Sequence, residues 1–298
     1  MTDVAVKKKI LFIINPISGV NQGKKHTIEE IIIRHLDHIV YDYSIAYTQL
    51  PGHATDLAKD AVGKNYFAVV AIGGDGSINE IAKALIGSKT VLAVIPSGSG
   101  NGFAHHLHIP FVFEKAIEVI NKGRVISIDT VHLNDEIFIS IAGVGFDALV
   151  AKKFAKKKRR GFLSYFSIVS REYARYKPKS YKLLIDGKPL KRRALFISFA
   201  NSNQFGYNTR IAPNAEITDG LIDVCIVKKI PLLKIPILAH FLFQRKIDKS
   251  NYVECYKAKE IKVIRKKNRV INIDGEAVKL SKNISIKINH LSLNVIVP

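Results

Sequence analysis

Four short apolar runs in the first 125 residues constrain the fold more than any other feature. They lack a strict alternation of apolar and polar residues, which indicates strands covered on both faces. The runs are Ile10–Ile14, Ile39–Tyr47, Phe67–Ile72 and Val91–Ile95. The segments between them are predicted helices and span Lys24–His35, Ala54–Val62 and Ile78–Ile86. This alternation predicts a doubly wound α/β domain with a mostly parallel sheet.

The pattern changes after Arg124. Later segments are short, rich in β-branched residues and separated by turns, which is typical of an antiparallel β-sandwich or barrel. Two segments, 162–176 and 230–247, resemble amphipathic helices instead. We therefore predict an α/β domain over residues 1–130 and a β-sandwich domain over residues 131–298, with the extreme C-terminus free to return to the first domain.

Positive charge is concentrated in the second half of the chain. The formal net charge is +21; residues 131–298 contain 33 Lys and Arg against 13 Asp and Glu, whereas residues 1–130 contain 13 against 12. A strongly basic half attracts a polyanion, either nucleic acid or an anionic membrane surface. Because Phe and Tyr follow strand periodicity rather than interleaving with basic residues, no nucleic-acid partner is expected.

The sequence shows no membrane-spanning segment and no metal-binding cysteine pattern. No stretch reaches the 18 or so apolar residues that would span a bilayer, and the run Ile10–Ile14 is too short for a signal peptide. Cys225 and Cys255 are expected to be buried thiols in a reducing compartment. These features predict a cytoplasmic protein and leave its oligomeric state open, a homodimer included.

Glycine-bearing polar loops follow three of the four predicted strands. They read NPISGVNQG after the first strand, GGDGS after the third and PSGSGNG after the fourth. The carboxyl ends of parallel strands share one edge of the sheet, and a glycine loop before a helix N-terminus lets a phosphate approach backbone N–H groups. The loops therefore predict a site for a phosphate-bearing ligand, although neither a P-loop nor a dinucleotide fingerprint is present.

Asp75 lies among the glycines of the second loop. A carboxylate repels a phosphate unless Mg²⁺ lies between them or the carboxylate handles a proton, and both needs arise in phosphoryl transfer. Ser77 and Glu80 fit the Ser-x-x-Glu capping box, which predicts that they start the following helix. A catalytic role is therefore favoured for Asp75, a structural role for Glu80, and a double role, structural and functional, for Ser77.

Asp-Gly dipeptides occur three times in the second half, at Asp186, Asp219 and Asp274. Between strand-like flanks, this dipeptide is typical of a hairpin turn. The residues alone give no reason to prefer one copy as a second catalytic acid.

Taken together, these motifs resemble the diacylglycerol kinase catalytic-domain family of lipid kinases, which includes bacterial diacylglycerol kinase-like proteins, sphingosine kinases and ceramide kinase. The resemblance runs from NPISG, GGDGSINE and PSGSGNGFA through GVGFDA and IAPNAEITDGLIDV to INIDGE, essentially the whole chain. It implies an ATP-binding α/β domain, a lipid-binding β-sandwich and a cleft between them. ATP and Mg²⁺ would serve transfer of the γ-phosphate to a lipid hydroxyl, of diacylglycerol or of a sphingoid-type acceptor.

The resemblance also implies roles for individual residues. The nucleotide-binding set would be Asn15, Ser18, Gly19, Thr48, Gly73, Gly74, Asp75, Gly76, Ser77, Asn79, Gly98 and Ser99. Glu276 matches the family's proposed general base, with Asp274 beside it. Asp75 would serve the ATP-associated Mg²⁺ or the acceptor hydroxyl.

A structural Mg²⁺ site is implied as well, formed by the carboxylate of Asp219 and the backbone carbonyls of Glu216 and Leu221. Two positions depart from the common pattern: Ser77 replaces the usual Thr, and Gly102 stands where many bacterial members have Asp. These departures keep the phosphate chemistry and leave the lipid acceptor open.

Two alternative functions are compatible with parts of the sequence. An NAD kinase-like phosphotransferase shares the GGDG motif, but PSGSGNGFAHHL does not resemble the Gly-x-Leu-Gly-Phe type segment that usually follows in that family. A non-catalytic polyanion-binding protein would explain the charge but not three phosphate loops. Under the lipid-kinase reading, the basic half faces anionic lipid, with Lys152–Arg160 near the surface and the apolar faces of 162–176 and 230–247 at the interface.

Overall fold

A computed structural model describes residues 6–18, 25–157, 161–206, 209–234, 244, 246–267 and 269–298. The chain divides into two compact units. One comprises Met1–Ile128 together with Ser292–Pro298, and the other comprises Asp129–Leu291. The domain boundary expected near residue 130 lies beside this division, and the segment 292–298 is part of the first unit.

The first unit alternates strands and helices. Its strands are β1 (Lys8–Ile14), β2 (Tyr41–Tyr47), β3 (Ala68–Gly73), β4 (Val91–Pro96) and the beginning of β5 (Val125–Leu133). Its helices are α1 (Lys25–His35), α2 (His53–Gly63), α3 (Asp75–Leu85), α4 (Gly102–His106) and α5 (Phe113–Lys122). Every residue of β3 and β4 is buried, because helices cover both faces of a doubly wound sheet.

The strands of this unit are ordered β2, β1, β3, β4, and neighbours pair in parallel. The end of the last strand of the chain adds beside β4, where Val295 pairs in parallel with Leu92. Since β2 lies on one side of β1 and β3 on the other, the strand order reverses between β1 and β3. Such a switch point opens a crevice at the carboxyl edge of an α/β sheet.

The second unit contains most of the antiparallel strands. They are β6 (Glu136–Phe138), β7 (Ile141–Gly145), β8 (Lys179–Ile185), β9 (Lys188–Ala194), β10 (Phe196–Ala200), β11 (Gln204–Gly206), β12 (Thr209–Arg210), β13 (Ile222–Val227), β14 (Val253–Ala258), β15 (Glu260–Ile264), β16 (Arg269–Ile273), β17 (Glu276–Leu280) and β18 (Asn283–Ile296). Helices α6 (Phe146–Phe154) and α7 (Phe162–Arg175) interrupt them, with short 3-10 helices at Leu232–Lys234 and Ile247–Lys249.

Two layers of strands form the core of the second unit. One layer is ordered β14, β13, β10, β7, β16, β17, and the other contains β18, β15, β8 and β9 in that order. Large apolar side chains from both layers, such as Phe199 of β10 and Ile261 of β15, are completely buried in one shared cluster. The predicted fold class, a parallel α/β part followed by an antiparallel β part, is confirmed.

Several local predictions were wrong or incomplete. Helices α4, α5 and α6 were not predicted, and the strand expected to continue through Phe146 ends at Gly145, where a positive φ of 104° turns the chain into α6. Most of the helix expected over 230–247 lies outside the described residues. Among the described residues, no helix combines the length and apolar character needed to cross a bilayer.

The cysteines also differ from the expectation. Cys225 is buried, but Cys255 is exposed. They face each other across β13 and β14, with their Sγ atoms 3.3 Å apart. The burial of one thiol was predicted correctly and that of the other was wrong, since Cys255 lies on the edge strand of its layer.

Candidate phosphate site and polar clusters

The loops after β1, β3 and β4 meet at the carboxyl edge of the parallel sheet, where the strand order switches. Asn15, directly after β1, donates from Nδ2 to the Ser77 hydroxyl oxygen at 3.1 Å. The other side-chain atom of Asn15, Oδ1, accepts from the N–H of Ile17 at 3.1 Å and tightens the first loop. The N–H of Ser97 donates to the carbonyl of Gly73 at 2.9 Å, which aligns the second and third loops.

Glycines allow these loops to pack against each other. A Cβ added to Gly98 would lie 2.5 Å from the Cα of Gly74 and 2.8 Å from Oδ1 of Asn101, and one added to Gly73 would lie 2.7 Å from Cβ of Ser77. None of these three glycines has a positive φ. Close approach of the two loop backbones therefore accounts for Gly74 and Gly98, and contact with the Ser77 side chain accounts for Gly73, before any ligand is considered.

Asp75 begins α3 and holds the start of α4. Its Oδ2 accepts from the N–H of Gly102 at 3.2 Å and its Oδ1 from the N–H of Phe103 at 3.3 Å. Burial raises the pKa of Asp75, and these backbone donors act in the opposite direction. The N–H groups of Asn101 and of Asp75 itself also contribute hydrogen bonds to this carboxylate, so a metal ion or a hydroxyl would share its oxygens with backbone donors. Gly76 follows in the first turn of α3.

The predicted capping box is wrong. Helix α3 has Gly74 at its N-cap and begins at Asp75, three residues earlier than expected. Ser77 therefore lies inside the first turn, and its hydroxyl accepts from Asn15 instead of capping the helix. Glu80, which was expected to complete the box, lies in the second turn.

The remaining predicted nucleotide residues are distributed around the same edge. Thr48 follows β2, and its N–H continues the ladder to β1 at 2.9 Å. Ser18 is partly buried, Ser99 is exposed and Asn79 is buried in α3. Gly19 lies outside the described residues. The structure thus brings the first, second and third loops together, with Thr48 at the end of the neighbouring strand.

In the second unit, Asp274 and Gly275 form the tight turn between β16 and β17. Both have positive φ, 45° and 91°, as a type I′ hairpin requires. The buried carboxylate of Asp274 accepts from the backbone N–H groups of residues 139–141 at 2.9, 3.0 and 2.8 Å. Asp274 therefore anchors a loop, whereas Glu276, at the start of β17, is exposed.

A buried carboxylate that sequence reasoning missed lies close to this turn. Asp147, in the first turn of α6, accepts from Nδ2 of Asn272 at 2.9 Å, and Oδ1 of Asn272 accepts from the N–H of Gly275 at 3.0 Å. Burial raises the pKa of Asp147 from 3.8 to about 6. The GVGFDA motif contains this residue, but it was not singled out because the predicted strand ended at Phe146 and no helix was predicted after it.

The acidic cluster around Asp219 already contains a cation. Nζ of Lys257 lies 2.7 Å from Oδ2 of Asp219 and 3.1 Å from Oδ2 of Asp223, and it donates to the carbonyl of Asn214 at 3.3 Å. Lys257 reaches this position because it pairs with Asp223 across β13 and β14. Strand register, which the sequence did not reveal, creates the contact.

This arrangement does not fit the implied structural Mg²⁺ site. Its one side-chain ligand, Asp219, is neutralised by Lys257, and its Oδ1 accepts from the N–H of Leu221 at 3.0 Å. Glu216 is exposed. A divalent ion would have to displace the Lys257 ammonium group to reach Asp219.

The fold and the loop cluster are those of a two-part α/β and β-sandwich kinase architecture. Residues 9–133 match the diacylglycerol kinase catalytic domain, and residues 140–296 match the YegS C-terminal NAD kinase beta sandwich-like domain. The chain belongs to this diacylglycerol kinase family. Membership of a lipid-kinase family implies a lipid substrate and ATP as the phosphate donor.

Individual relatives are similar over nearly their whole length. A protein named diacylglycerol kinase from Bacillus subtilis (strain 168) is 28% identical over 274 residues, 90% of each chain. A diacylglycerol kinase from Staphylococcus aureus (strain bovine RF122 / ET3-1) is 28% identical over 275 residues, covering 91% of this chain and 87% of that one.

Solved structures show the same fold. The crystal structure of a diacylglycerol kinase from Bacillus anthracis str. Sterne superposes with a TM-score of 0.75 at 21% identity, covering 98% of this chain and 97% of that chain. A second structure from the same organism has a TM-score of 0.81 at 24% identity, with the same coverage.

Proposed function

We propose that the protein is an ATP-dependent lipid kinase that transfers the γ-phosphate to a hydroxyl of a membrane lipid. The observation that carries this proposal is the loop cluster at the β1–β3 switch point, in a chain that belongs to a lipid-kinase family. Diacylglycerol is the acceptor we favour, because the relatives carry that name across about nine-tenths of the chain. A sphingoid-type lipid is the second choice.

The loops supply the phosphate contacts in this proposal. Backbone N–H groups at the start of α3, flanked by Gly73 and Gly74, hold the triphosphate, because a helix N-terminus carries free donors and partial positive charge. Asp75 is the residue that would hold the Mg²⁺ accompanying ATP, and bound Mg²⁺ would supply positive charge opposite the phosphates. The carboxylate that caps α4 is thereby held in place for a ligand.

Glu276 is the proposed base. The lipid hydroxyl oxygen attacks the γ-phosphorus, the bond from that phosphorus to the β–γ bridging oxygen breaks, and the hydroxyl proton passes to Glu276 while ADP leaves. Its neighbour Asp274 acts by positioning, since its carboxylate holds the backbone N–H groups of residues 139–141.

Peripheral attachment of this cytoplasmic protein to an anionic membrane is part of the proposal. On α7, the side chains of Leu163 and Phe166 are 82% and 57% exposed. They follow a basic segment in which Lys152, Lys156 and Lys157 are exposed. Exposed apolar side chains beside lysines suit an anionic lipid surface, where each basic residue contributes about 1 kcal/mol.

Phosphate transfer from labelled ATP to a lipid panel in mixed micelles tests the reaction. Wild type should label diacylglycerol, and Glu276→Gln should lower the rate by about a hundredfold or more, the usual contribution of a general base. Glu118→Gln, at an exposed position on α5, is the matched control. Thermal unfolding of each variant separates lost chemistry from lost folding.

Other outcomes would contradict the proposal. Transfer to NAD but to no lipid would favour the NAD kinase-like alternative. An active Glu276→Gln variant would remove that residue from the mechanism. Equal sedimentation with neutral and anionic vesicles would overturn the electrostatic part of the membrane proposal.

A further inference from the structure

A basic pocket in the second unit has no part in the reaction proposed above, although one of its residues, Lys152, also belongs to the basic segment before α7. It encloses about 390 Å³ beside α6, β8 and the β16–β17 hairpin. Five cations and a tyrosine contribute to its lining: Lys152, Lys179, Tyr181, Arg265, Arg269 and Lys279. Among the residues that the structure describes, no carboxylate lines it, so the pocket wall supplies no counter-charge to these positive side chains.

Arg265 is the most unusual member of this group. Arg265 is only 6% exposed, so its charged side chain is almost completely buried. Nη2 donates to the carbonyls of Leu280 and Ser281 at 3.3 and 2.5 Å, while Nε is buried without a hydrogen-bond partner among the described residues. A buried guanidinium ordinarily faces a carboxylate, because an unpaired buried charge is costly.

The neighbouring cations increase this cost. Burial lowers the pKa of Lys179, and the charges of Arg269 and Arg265 lower it further. Nζ of Lys179 lies 4.9 Å from the centre of the Tyr176 ring. This aromatic contact does not neutralise the lysine as a carboxylate would. Within the described part of the chain, none of the five cations pairs with a carboxylate.

We propose that this pocket binds a phosphate group, carried either by the headgroup of an anionic phospholipid or by a soluble phosphate ester. The planar donors of arginine match the oxygens of a phosphate, and Tyr181 adds a hydroxyl group at the wall. Apolar contacts with Val144 and Leu149, which also line the pocket, suit the carbon part of an ester.

Pocket size favours a small ligand over a polymer. A volume of 390 Å³ falls within the range of roughly 300–1,000 Å³ that holds small molecules. The pocket uses none of the residues proposed above for nucleotide binding or proton transfer, so its occupancy is measurable whether or not the kinase proposal holds.

Two charge-matched double variants test the site. Lys179→Gln/Arg269→Gln removes two pocket cations and spares Arg265, whose donors support the backbone. Lys188→Gln/Lys191→Gln removes two exposed lysines from β9 of the same unit, outside the pocket. Both changes lower the net charge equally, so a general electrostatic effect should be the same in the two variants.

Vesicles supply the lipid arm of the test. Phosphatidylcholine vesicles containing phosphatidylglycerol are compared with vesicles containing oleate at the same surface charge. Wild type should prefer the phosphate-bearing surface, and the pocket variant should lose at least about tenfold more affinity for it than the control variant, because charge-assisted hydrogen bonds are lost as well as charge.

Glycerol 3-phosphate supplies the soluble arm. It should raise the unfolding temperature of wild type and of the control variant but not that of the pocket variant, and a response to this probe alone would assign the pocket to soluble esters. Without ligand, the pocket variant should unfold at the same temperature as wild type or higher, since like charges have been removed. Equal losses in both variants, or no response to either phosphate probe, would overturn the proposal.

Discussion

The loop cluster of the first unit and the basic pocket of the second unit differ in how their polar and charged groups interact. In the loop cluster, polar groups bind one another: Asn15 holds Ser77, and Asp75 holds the start of α4. In the pocket, Arg265, Arg269 and Lys179 repel one another. A site can therefore be held in place by its own internal contacts, or its charges can be balanced only when a ligand binds.

The difference has a measurable consequence. Changes in the loop cluster should destabilise the free protein, because they remove contacts that exist without ligand. Changes in the pocket should leave the free protein intact and weaken ligand binding. Stability and binding therefore separate the two kinds of site.

Gly98→Ala should have the largest effect. The new Cβ would lie 2.5 Å from the Cα of Gly74. Because this is a backbone atom, the clash can be relieved only by displacing one of the two loops. We expect the free energy of unfolding to fall by about 3 kcal/mol or more, the upper range for overpacking. Gly63→Ala, with no atom within 4 Å of its new Cβ, should change it by less than about 1 kcal/mol. Equal denaturation midpoints for the two variants would refute close packing of the loops.

Two Asp-Gly turns allow a second comparison. Asp274 and Asp186 both have φ near 45°, but Asp274 is buried and accepts from three backbone N–H groups, whereas the more exposed Asp186 accepts from two. Asp274→Ala should lower the free energy of unfolding by about 3 kcal/mol, since buried donors lose their partner. Asp186→Ala should cost about 1 kcal/mol, because water replaces the carboxylate. Urea denaturation measures both, and a larger loss for Asp186→Ala would refute this explanation.

Asp147 should make stability depend on pH. Its pKa is about 6 in the folded protein, against 3.8 for an unperturbed aspartate. The folded state therefore binds this proton more tightly than the unfolded state does. Stability should therefore fall as the pH rises from about 4 to about 6 and then level off, by roughly 2–3 kcal/mol. Asp147→Asn should flatten this part of the profile, whereas Asp135→Asn, at an exposed turn, should not. An unchanged profile for Asp147→Asn would assign the dependence elsewhere.

Lys257, unlike the pocket cations, is neutralised by neighbouring carboxylates. Its substitution should have the smallest effect on the free energy of unfolding. Its bridges to Asp219 and Asp223 are partly exposed and should contribute about 1 kcal/mol or less. Without nucleotide, Mg²⁺ should not raise the unfolding temperature of wild type. In Lys257→Gln, the freed carboxylates should create such a response. A Mg²⁺ response already present in wild type would restore the implied structural metal site.

The sequence predicted those elements that are determined by residues close together in the chain. The apolar runs located β1 to β4, and the glycine loops after three of them were expected to share an edge, as they do. Pairings across long sequence separations were not predictable in this way. The contact of Asp75 with α4 spans 27 residues, and that of Lys257 with Asp219 spans 38.

The missed helices have a similar cause. Helix α6 contains Phe146, Val150 and other residues that also suit strands, and only the positive φ of Gly145 separates it from β7. The choice of Asp274 over Asp186 as the buried turn depended on the loop 139–141 packing against it. Glu276 was identified only through the family resemblance, because composition and spacing did not distinguish it from other acidic residues.

The segment 292–298 has a consequence for biosynthesis. Before it is made, β4 lacks the neighbour that Val295 provides, and Arg124 lacks the contacts of its carbonyl with the Val297 N–H and of its guanidinium with Pro298. Synthesis of Asp129–Leu291 separates the two parts of this unit and takes about ten to thirty seconds at about 5–20 residues per second. During that interval the growing chain carries an open apolar strand edge, a form that invites wrong pairing with other chains.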